Sequence, residues 1–504
     1  MSANGNVNGV NKGAVNGATE TARRQRKMST PLMPAFMVSA PGKVIVYGEH
    51  AVVHGKPAIA AAISLRSYLL VTFLSKSRRT VSLRFPDIGL DHTWNIDELP
   101  WATFSQNGKK RAYYDLVNTL DPELMDALKP HIATISPGLS EDMRKVHHSS
   151  ASAFLYLFLS LGSPKSPPCV YTLRSTIPIG AGLGSSASIA VCLSCALLMQ
   201  IRALSGPHQD QPPDESRIQI ERINQWAFVA EMCIHGNPSG VDNTVASRGK
   251  AVLFQRMDYN KPPVVTSLPD FPELPLLLVN TRQSRSTHTE VAKVAVLRKQ
   301  HPEITNLILD AIGNVTESAH NLISKESFDS EDPATLRHLG ELCTINHGLL
   351  VSLGVSHPKL ERIRELIDGA GIGWTKLTGA GGGGCAITIV NPESLKETQA
   401  EPGQRIRLHR RASMHKTERL VKLSHALEAE GFQMFQTTLA GDGVGVLWPA
   451  VLQNGSGEEG GEEIDQEKFL RADGNEGIER LVGVAASKQF DNSDVREGWK
   501  FWGM

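Results

Sequence analysis

Apolar and polar positions change period several times along the chain. Residues 36–46 are apolar and alternating, the pattern of a strand. Residues 58–63 and 68–73 are rich in apolar and β-branched types and predict two more strands, with a further one at 81–83. Residues 110–165 carry helical periodicity broken by prolines. A strand at 170–175 runs into a glycine-rich loop, and an apolar helix follows over 186–204. After a polar loop at 205–217 comes a helix over about 217–233. Prolines at 262, 263, 269, 272 and 275 punctuate the middle of the chain and mark a domain boundary. Beyond it the pattern predicts a strand at 276–280, a Ser/Thr/Arg loop, and helices over 289–326, 334–352 and 358–369. A second glycine-rich loop, a strand at 385–390, a helix at 415–430 and a strand at 432–439 complete the body. Strands and helices mix without a regular βαβ rhythm, which points to an α+β protein of two layered domains.

Composition narrows this picture. The 504 residues carry 52 Lys plus Arg against 52 Asp plus Glu, so the chain lacks the basic excess of a nucleic-acid binder. No apolar run approaches the length that crosses a bilayer. Residues 1–33 are polar and close on the basic patch Arg23, Arg24, Arg26 and Lys27; they are expected to be a disordered tail. Residues 394–412 read as a polar, basic insertion, and 451–504 as an extension whose Trp499 and Trp502 suggest docking on the body. Six cysteines and no signal peptide argue against a disulfide framework and for a cytoplasmic protein. Cys192 and Cys195 form a CxxC, but inside an apolar helix-like run, where core packing is the default reading.

Two loops carry the chemistry. Residues 178–188 read PIGAGLGSSAS between a strand and a helix. Gly180, Gly182 and Gly184 allow tight turns and close approach to a ligand. Ser185 and Ser186 stand at the expected helix start, whose unpaired N–H groups favour an anion such as phosphate. Neither the Walker pattern nor a dinucleotide fingerprint is present, since Ser185 falls where the third glycine belongs. Residues 376–385 read KLTGAGGGGC. They contain GxGxxG, yet a strand follows where a dinucleotide site needs a helix. Four glycines before a strand predict backbone passing very close to another group.

These loops join a third segment, SAPGKVIVYGEHAVVHG at 39–55. Together they resemble the three motifs of the GHMP kinases, the family of galacto-, homoserine, mevalonate and phosphomevalonate kinases, over residues 36–448. Within the family, GEHAVVHG, GLGSSAS, HGNPSGVDN at 235–243 and KLTGAGGGGC are similar to the mevalonate kinase branch. The resemblance implies a two-domain kinase fold. An N-terminal ATP-binding domain (34–265) would contain a left-handed β-α-β unit, against the usual right-handed rule; a C-terminal α/β sandwich domain (266–450) would follow.

Site roles come with the same resemblance. Asp242 would be the catalytic base and Lys43 its cationic neighbour. Ser175, Gly180, Ala181, Gly182, Leu183, Gly184, Ser185 and Ser186 would hold ATP together with Lys43. Ser186 and Glu231 would ligate Mg²⁺. Glu49, His50, Ser239, Thr287 and Ala380 would lie near mevalonate, with Gly381, Gly382 and Gly383 shaping the site beside the phosphates. Asp87 matches an Asn that many animal members place near the nucleotide. The resemblance also implies feedback inhibition by prenyl diphosphates and a homodimer, with neither nucleic acid nor membrane as partner. His235, His320 and His347 have no partner visible in the sequence.

Overall fold

The structure, a computed structural model, describes residues 33–208, 210–257, 263–326, 328–330, 332–395, 418–452, 461–484 and 497–503. The basic patch at 23–27 and most of the 394–412 insertion lie outside the described residues.

Two sheets organise the chain. The larger, mixed sheet has nine strands, and its central pair is Phe36–Tyr47 against Ala58–Phe73. The stretch that reads as two strands, 58–63 and 68–73, is a single strand of 16 residues. Its polar middle is satisfied by tertiary partners: Arg66 is 1% exposed and donates from Nε to Ser39 Oγ at 2.7 Å and from Nη1 to the Asp442 carbonyl at 2.7 Å. Strand Thr80–Phe85 runs parallel to Cys169–Ser175, and helices Pro122–Ile132 and Glu141–Leu161 lie between them in the chain. That is the parallel pair a β-α-β unit requires.

Alternation decides what covers each face of this sheet. Val38, Leu69 and Val71 point into a core built with Glu141–Leu161, Ser185–Gln200 and Pro213–His235. Met37, Tyr68 and Leu70 point the other way and are covered by Phe469, Ile478, Val482 and Trp499 of the C-terminal extension. Strands apolar on both sides need two covers, and the extension is the second. Its strand Lys500–Phe501 joins the sheet edge beside Gly445–Leu447, which itself pairs with Phe36–Tyr47.

The second sheet has four antiparallel strands in the order Gln433–Thr438, Pro275–Asn280, Cys385–Val390, Gly373–Leu377. Leu276 and Leu278 face a core shared with Val44, Val46, Ile59 and Ile63 of the first sheet. Leu277 and Val279 face Leu360, Ile363 and Leu427 on the opposite side. The first-sheet strands thus run from one core into the next.

Helix punctuation differs from the periodic reading in two places. The helical stretch at 289–326 is two helices, Thr287–Gln300 and Pro302–Ile323, because Pro302 opens a new helix and disfavours helical backbone at His301. The polar loop at 205–217 ends early, since Pro213 starts the helix Pro213–His235. Among the described residues no helix is long and apolar enough to cross a membrane. Cys192 and Cys195 are fully buried in helix Ser185–Gln200, and burial pushes the Cys192 thiol up to about 12.

Candidate active site

A break in a strand places the first cation. The register of Phe36–Tyr47 against Ala58–Phe73 shifts between Pro41 and Lys43. Proline has no N–H for the ladder, and such irregularities re-aim a side chain. Lys43 rejoins the ladder opposite Ala62 after the shift, and its N–H donates to the Leu183 carbonyl at 2.8 Å. Its Nζ donates to the Gly182 carbonyl at 3.3 Å and pairs with Asp242 Oδ1 at 3.2 Å. The lysine side chain is 8% exposed and the carboxylate 35%, so the pair presents the carboxylate outward.

Asp242 sits in the first turn of helix Val241–Arg248, which follows Gly240 at φ 83°. A carboxylate there is favoured by the helix dipole. Gly184 leaves room for the pair: a Cβ at that position would lie 3.1 Å from Lys43 Cγ and 3.7 Å from Asp242 Cβ.

The first glycine-rich loop ends in helix Ser185–Gln200, whose N-cap is Gly184 at φ 71° rather than a serine. No side chain caps this helix start, which leaves its leading N–H groups available to an anion. Gly180, Gly182, Leu183, Gly184, Ser185 and Ser186 line a cavity of about 670 Å³ together with Lys43 and Asp242. Ala181 is buried behind this wall and is absent from the lining.

Ser186 and His235 line the cavity beside that helix, with Glu231 buried next to them and outside the lining. Ser186 Oγ is 3.1 Å from His235 Nε2, which lies 3.9 Å from Glu231 Oε2. Glu231 Oε1 is buried with no hydrogen-bond partner. Burial first, and then the charge of Asp242, push the Glu231 carboxyl up to about 8. A carboxylate so placed is short of positive charge.

The second loop is held open by positive backbone angles. Gly381, Gly382, Gly383 and Gly384 all have positive φ, and a Cβ on Gly381 would overlap the Val355 carbonyl oxygen. That oxygen accepts the Gly382 N–H at 2.8 Å, so the close approach at Gly381 is made to backbone, whereas at Gly382 and Gly384 it is made to the Glu290 and Arg285 side chains. Gly381→Ala is expected to destabilise the protein by about 2–4 kcal/mol, from left-handed strain plus overlap; thermal unfolding beside the wild type checks this.

Arg285 is a site residue that the sequence pattern did not single out. It enters from the 281–286 loop between the two glycine-rich loops, and its side chain fills the space a Cβ would need at Gly182 or Gly384. It lines the cavity, and its buried Nε and Nη1 have no hydrogen-bond partner. Burial lowers its pKa. An arginine in a Ser/Thr/Arg loop gives no pattern to detect; the tertiary fold brings it to the loops.

The other expected site residues divide. His50, Thr287 and Ala380 line the cavity. His50, at φ 61°, donates from Nε2 to the Ala380 carbonyl at 2.8 Å, and burial lowers its pKa. Glu49 is fully buried away from the cavity lining; it pairs with Lys376 and accepts from Asn346 Nδ2 at 2.8 Å. Ser239 is exposed and its Oγ accepts the Val241 N–H at 3.4 Å, outside the lining. Ser175 Oγ accepts the Ile177 N–H at 3.2 Å just before the loop, also outside the lining. Asp87 accepts from Arg174 and from the Ser175 N–H, each at 2.8 Å.

The chain resembles known proteins along most of its length. Residues 149–249 match the GHMP kinases N terminal domain, and 333–405 match the GHMP kinases C terminal family. A mevalonate kinase of Gibberella zeae is 65% identical over 479 residues, 95% of this chain and 89% of that protein. The mevalonate kinase of Candida albicans is 40% identical over 472 residues, 93% of this chain and 99% of that protein. Among solved structures, the L. major mevalonate kinase in complex with R-mevalonate aligns with a TM-score of 0.53 at 22% identity, covering 82% of this chain and all of that one.

Proposed function

The chain belongs to the GHMP kinase family, in its mevalonate kinase branch, and phosphorylates mevalonate with ATP in isoprenoid precursor synthesis; from that premise we propose which residues carry the reaction. The observation that supports the assignment most is the Lys43–Asp242 pair at 3.2 Å, on a cavity walled by both glycine-rich loops.

In this reading the 180–186 loop and the open start of helix Ser185–Gln200 bind the phosphates of ATP through backbone N–H groups. Asp242 accepts the proton of the mevalonate 5-hydroxyl as its oxygen bonds to the γ-phosphorus and the bond to the departing ADP oxygen breaks. A carboxylate is a weak base toward an alcohol, but in a loose transition state the proton leaves late, so positioning and charge contribute most. Lys43, paired with Asp242, offsets negative charge on the transferring group. Arg285, which lines the cavity and whose buried Nε and Nη1 lack partners, takes an anionic oxygen, either a phosphate or the mevalonate carboxylate. His50, Thr287 and Ala380 border the substrate.

The corner of Ser186 and Glu231 fits Mg²⁺. One hydroxyl and one buried carboxylate with an orphaned oxygen are the hard, sparse ligand set that this ion takes from protein. When bound, Mg²⁺ would neutralise phosphate oxygens. Glu231 would supply a carboxylate oxygen and Ser186 its hydroxyl, which here lies 3.1 Å from His235 Nε2. The apolar part of the cavity, with Val52, Val53, Leu83 and Ile88, supports feedback inhibition by prenyl diphosphates. A homodimer and a cytoplasmic location complete the reading on family grounds.

The test is ADP release by purified protein with ATP, Mg²⁺ and a panel of acceptors. Turnover is expected with mevalonate and to be at background with galactose, homoserine and phosphomevalonate. Turnover on another acceptor in place of mevalonate would overturn the substrate assignment.

A further inference from the structure

The C-terminal extension grips the strand that delivers the first glycine-rich loop. Its helix Gln466–Leu470 ends against Arg174, whose Nη1 donates to the Phe469 and Leu470 carbonyls at 2.9 Å each and whose Nη2 donates to Ala472 at 2.8 Å. The guanidinium thus satisfies carbonyls that a helix end leaves unpaired. Arg174 Nε donates to Asp87 Oδ1 at 2.8 Å, and Asp87 Oδ2 accepts the Ser175 N–H at 2.8 Å. One residue further, Asn475 Nδ2 donates to the Thr176 carbonyl at 3.0 Å.

Three consecutive residues, Arg174, Ser175 and Thr176, are therefore tied to the extension directly or through one carboxylate. Two positions later Pro178 opens the loop. The Arg174 and Asp87 side chains are only 9% and 18% exposed, so water competes little for these bonds. The extension is itself anchored: Phe469, Ile478 and Val482 pack under Met37, Tyr68 and Leu70, and Trp499 Nε1 donates to the Val482 carbonyl at 2.8 Å. Backbone donors aimed at a phosphate must be held to roughly 0.5 Å to be effective. A loop rich in glycine cannot hold itself that closely.

We propose that the C-terminal extension is a buttress that sets the position of the ATP phosphate loop, with Arg174, Asp87 and Asn475 as its positioning residues. The proposal rests on reading the 180–186 loop as the nucleotide site. It assigns the extension to nucleotide affinity and leaves mevalonate binding outside its reach.

The experiment uses the full chain and a fluorescent ATP analogue, with thermal midpoints and steady-state kinetics measured alongside. Asn475→Ala should weaken analogue binding about three- to tenfold, the range of one lost hydrogen bond. Its KM for mevalonate and its kcat at saturating ATP should stay within twofold. Arg174→Lys keeps the charge but loses the planar fork, so its loss of nucleotide affinity should exceed tenfold. Lys468→Ala, which removes an exposed pair with Glu462, should bind as the wild type does. An unchanged thermal midpoint with raised KM for ATP alone supports the buttress. Wild-type nucleotide affinity in both Asn475→Ala and Arg174→Lys, or an equal rise in both KM values, overturns it. A wild-type protein that turns over mevalonate but shows no competition between the analogue and ATP would overturn the loop assignment instead.

Discussion

Asp242→Ala should lower the rate of phosphoryl transfer by about 10²–10⁴-fold, the range in which a positioned acid or base contributes, while the Kd for ATP stays within a few-fold. The split follows from the geometry. Asp242 presents its carboxylate to the cavity from the first turn of its helix, whereas in the proposed reading the phosphates go to backbone groups of the 180–186 loop and to Lys43, the other member of the pair. Asp242→Asn keeps the shape and the oxygen but removes the charge and the proton acceptor. It should lose nearly as much rate. If Asp242→Asn retained most activity, the residue would be an orienting group and the base role would fall. Single-turnover kinetics with direct nucleotide binding distinguish these outcomes, because a lost binding step and a lost chemical step separate there.

Lys376→Met should destabilise the protein by about 3–5 kcal/mol, the cost of leaving one member of a buried ion pair without its partner. Lys376 and Glu49 are both fully buried and touch directly, with Asn346 on the second Glu49 oxygen. The pair joins the first motif to the strand that leads into the second glycine-rich loop, so it fastens the two sheets beside the site. The thermal midpoint should fall on the order of 10 °C. Glu49→Gln combined with Lys376→Met removes both charges and should recover most of that loss, since the penalty lies in the unpaired charge. If Glu49 acted mainly on substrate, Glu49→Gln alone would raise the KM for mevalonate without affecting the midpoint. The double variant would then recover nothing.

What was legible in the sequence was local. Glycines at 180, 182 and 184 between a strand and a helix announce tight turns and an open helix start, because these are properties of a few adjacent residues. The same holds for the strand–helix alternation and for four glycines at 381–384 passing very close to other groups. Less local features were misread or missed. Residues 58–73 look like two strands because Ser64, Arg66 and Ser67 interrupt the apolar run; they form one strand because distant groups, the Ser39 hydroxyl and the Asp442 carbonyl among them, satisfy Arg66. The helix Val241–Arg248 is not predicted at all, because Pro238 and Gly240 stand just before it and favour a turn.

Pairings across hundreds of residues have no trace in sequence at all. Nothing adjacent to Glu49 names Lys376, nothing around Arg285 says that its guanidinium lies between two loops, and the extension's apolar residues do not state which face they cover. A chain records which groups need a partner: a buried charge, an orphaned helix end, a strand apolar on both sides. It does not record which partner satisfies them, because that is settled by the packing of two sheets and their helices, where distance along the chain no longer matters. The candidate phosphate loop and the family motifs therefore lie in the residues themselves. The distance from Lys43 to Asp242, the burial of Glu231 and the grip on Arg174 exist only once the two cores have formed around them.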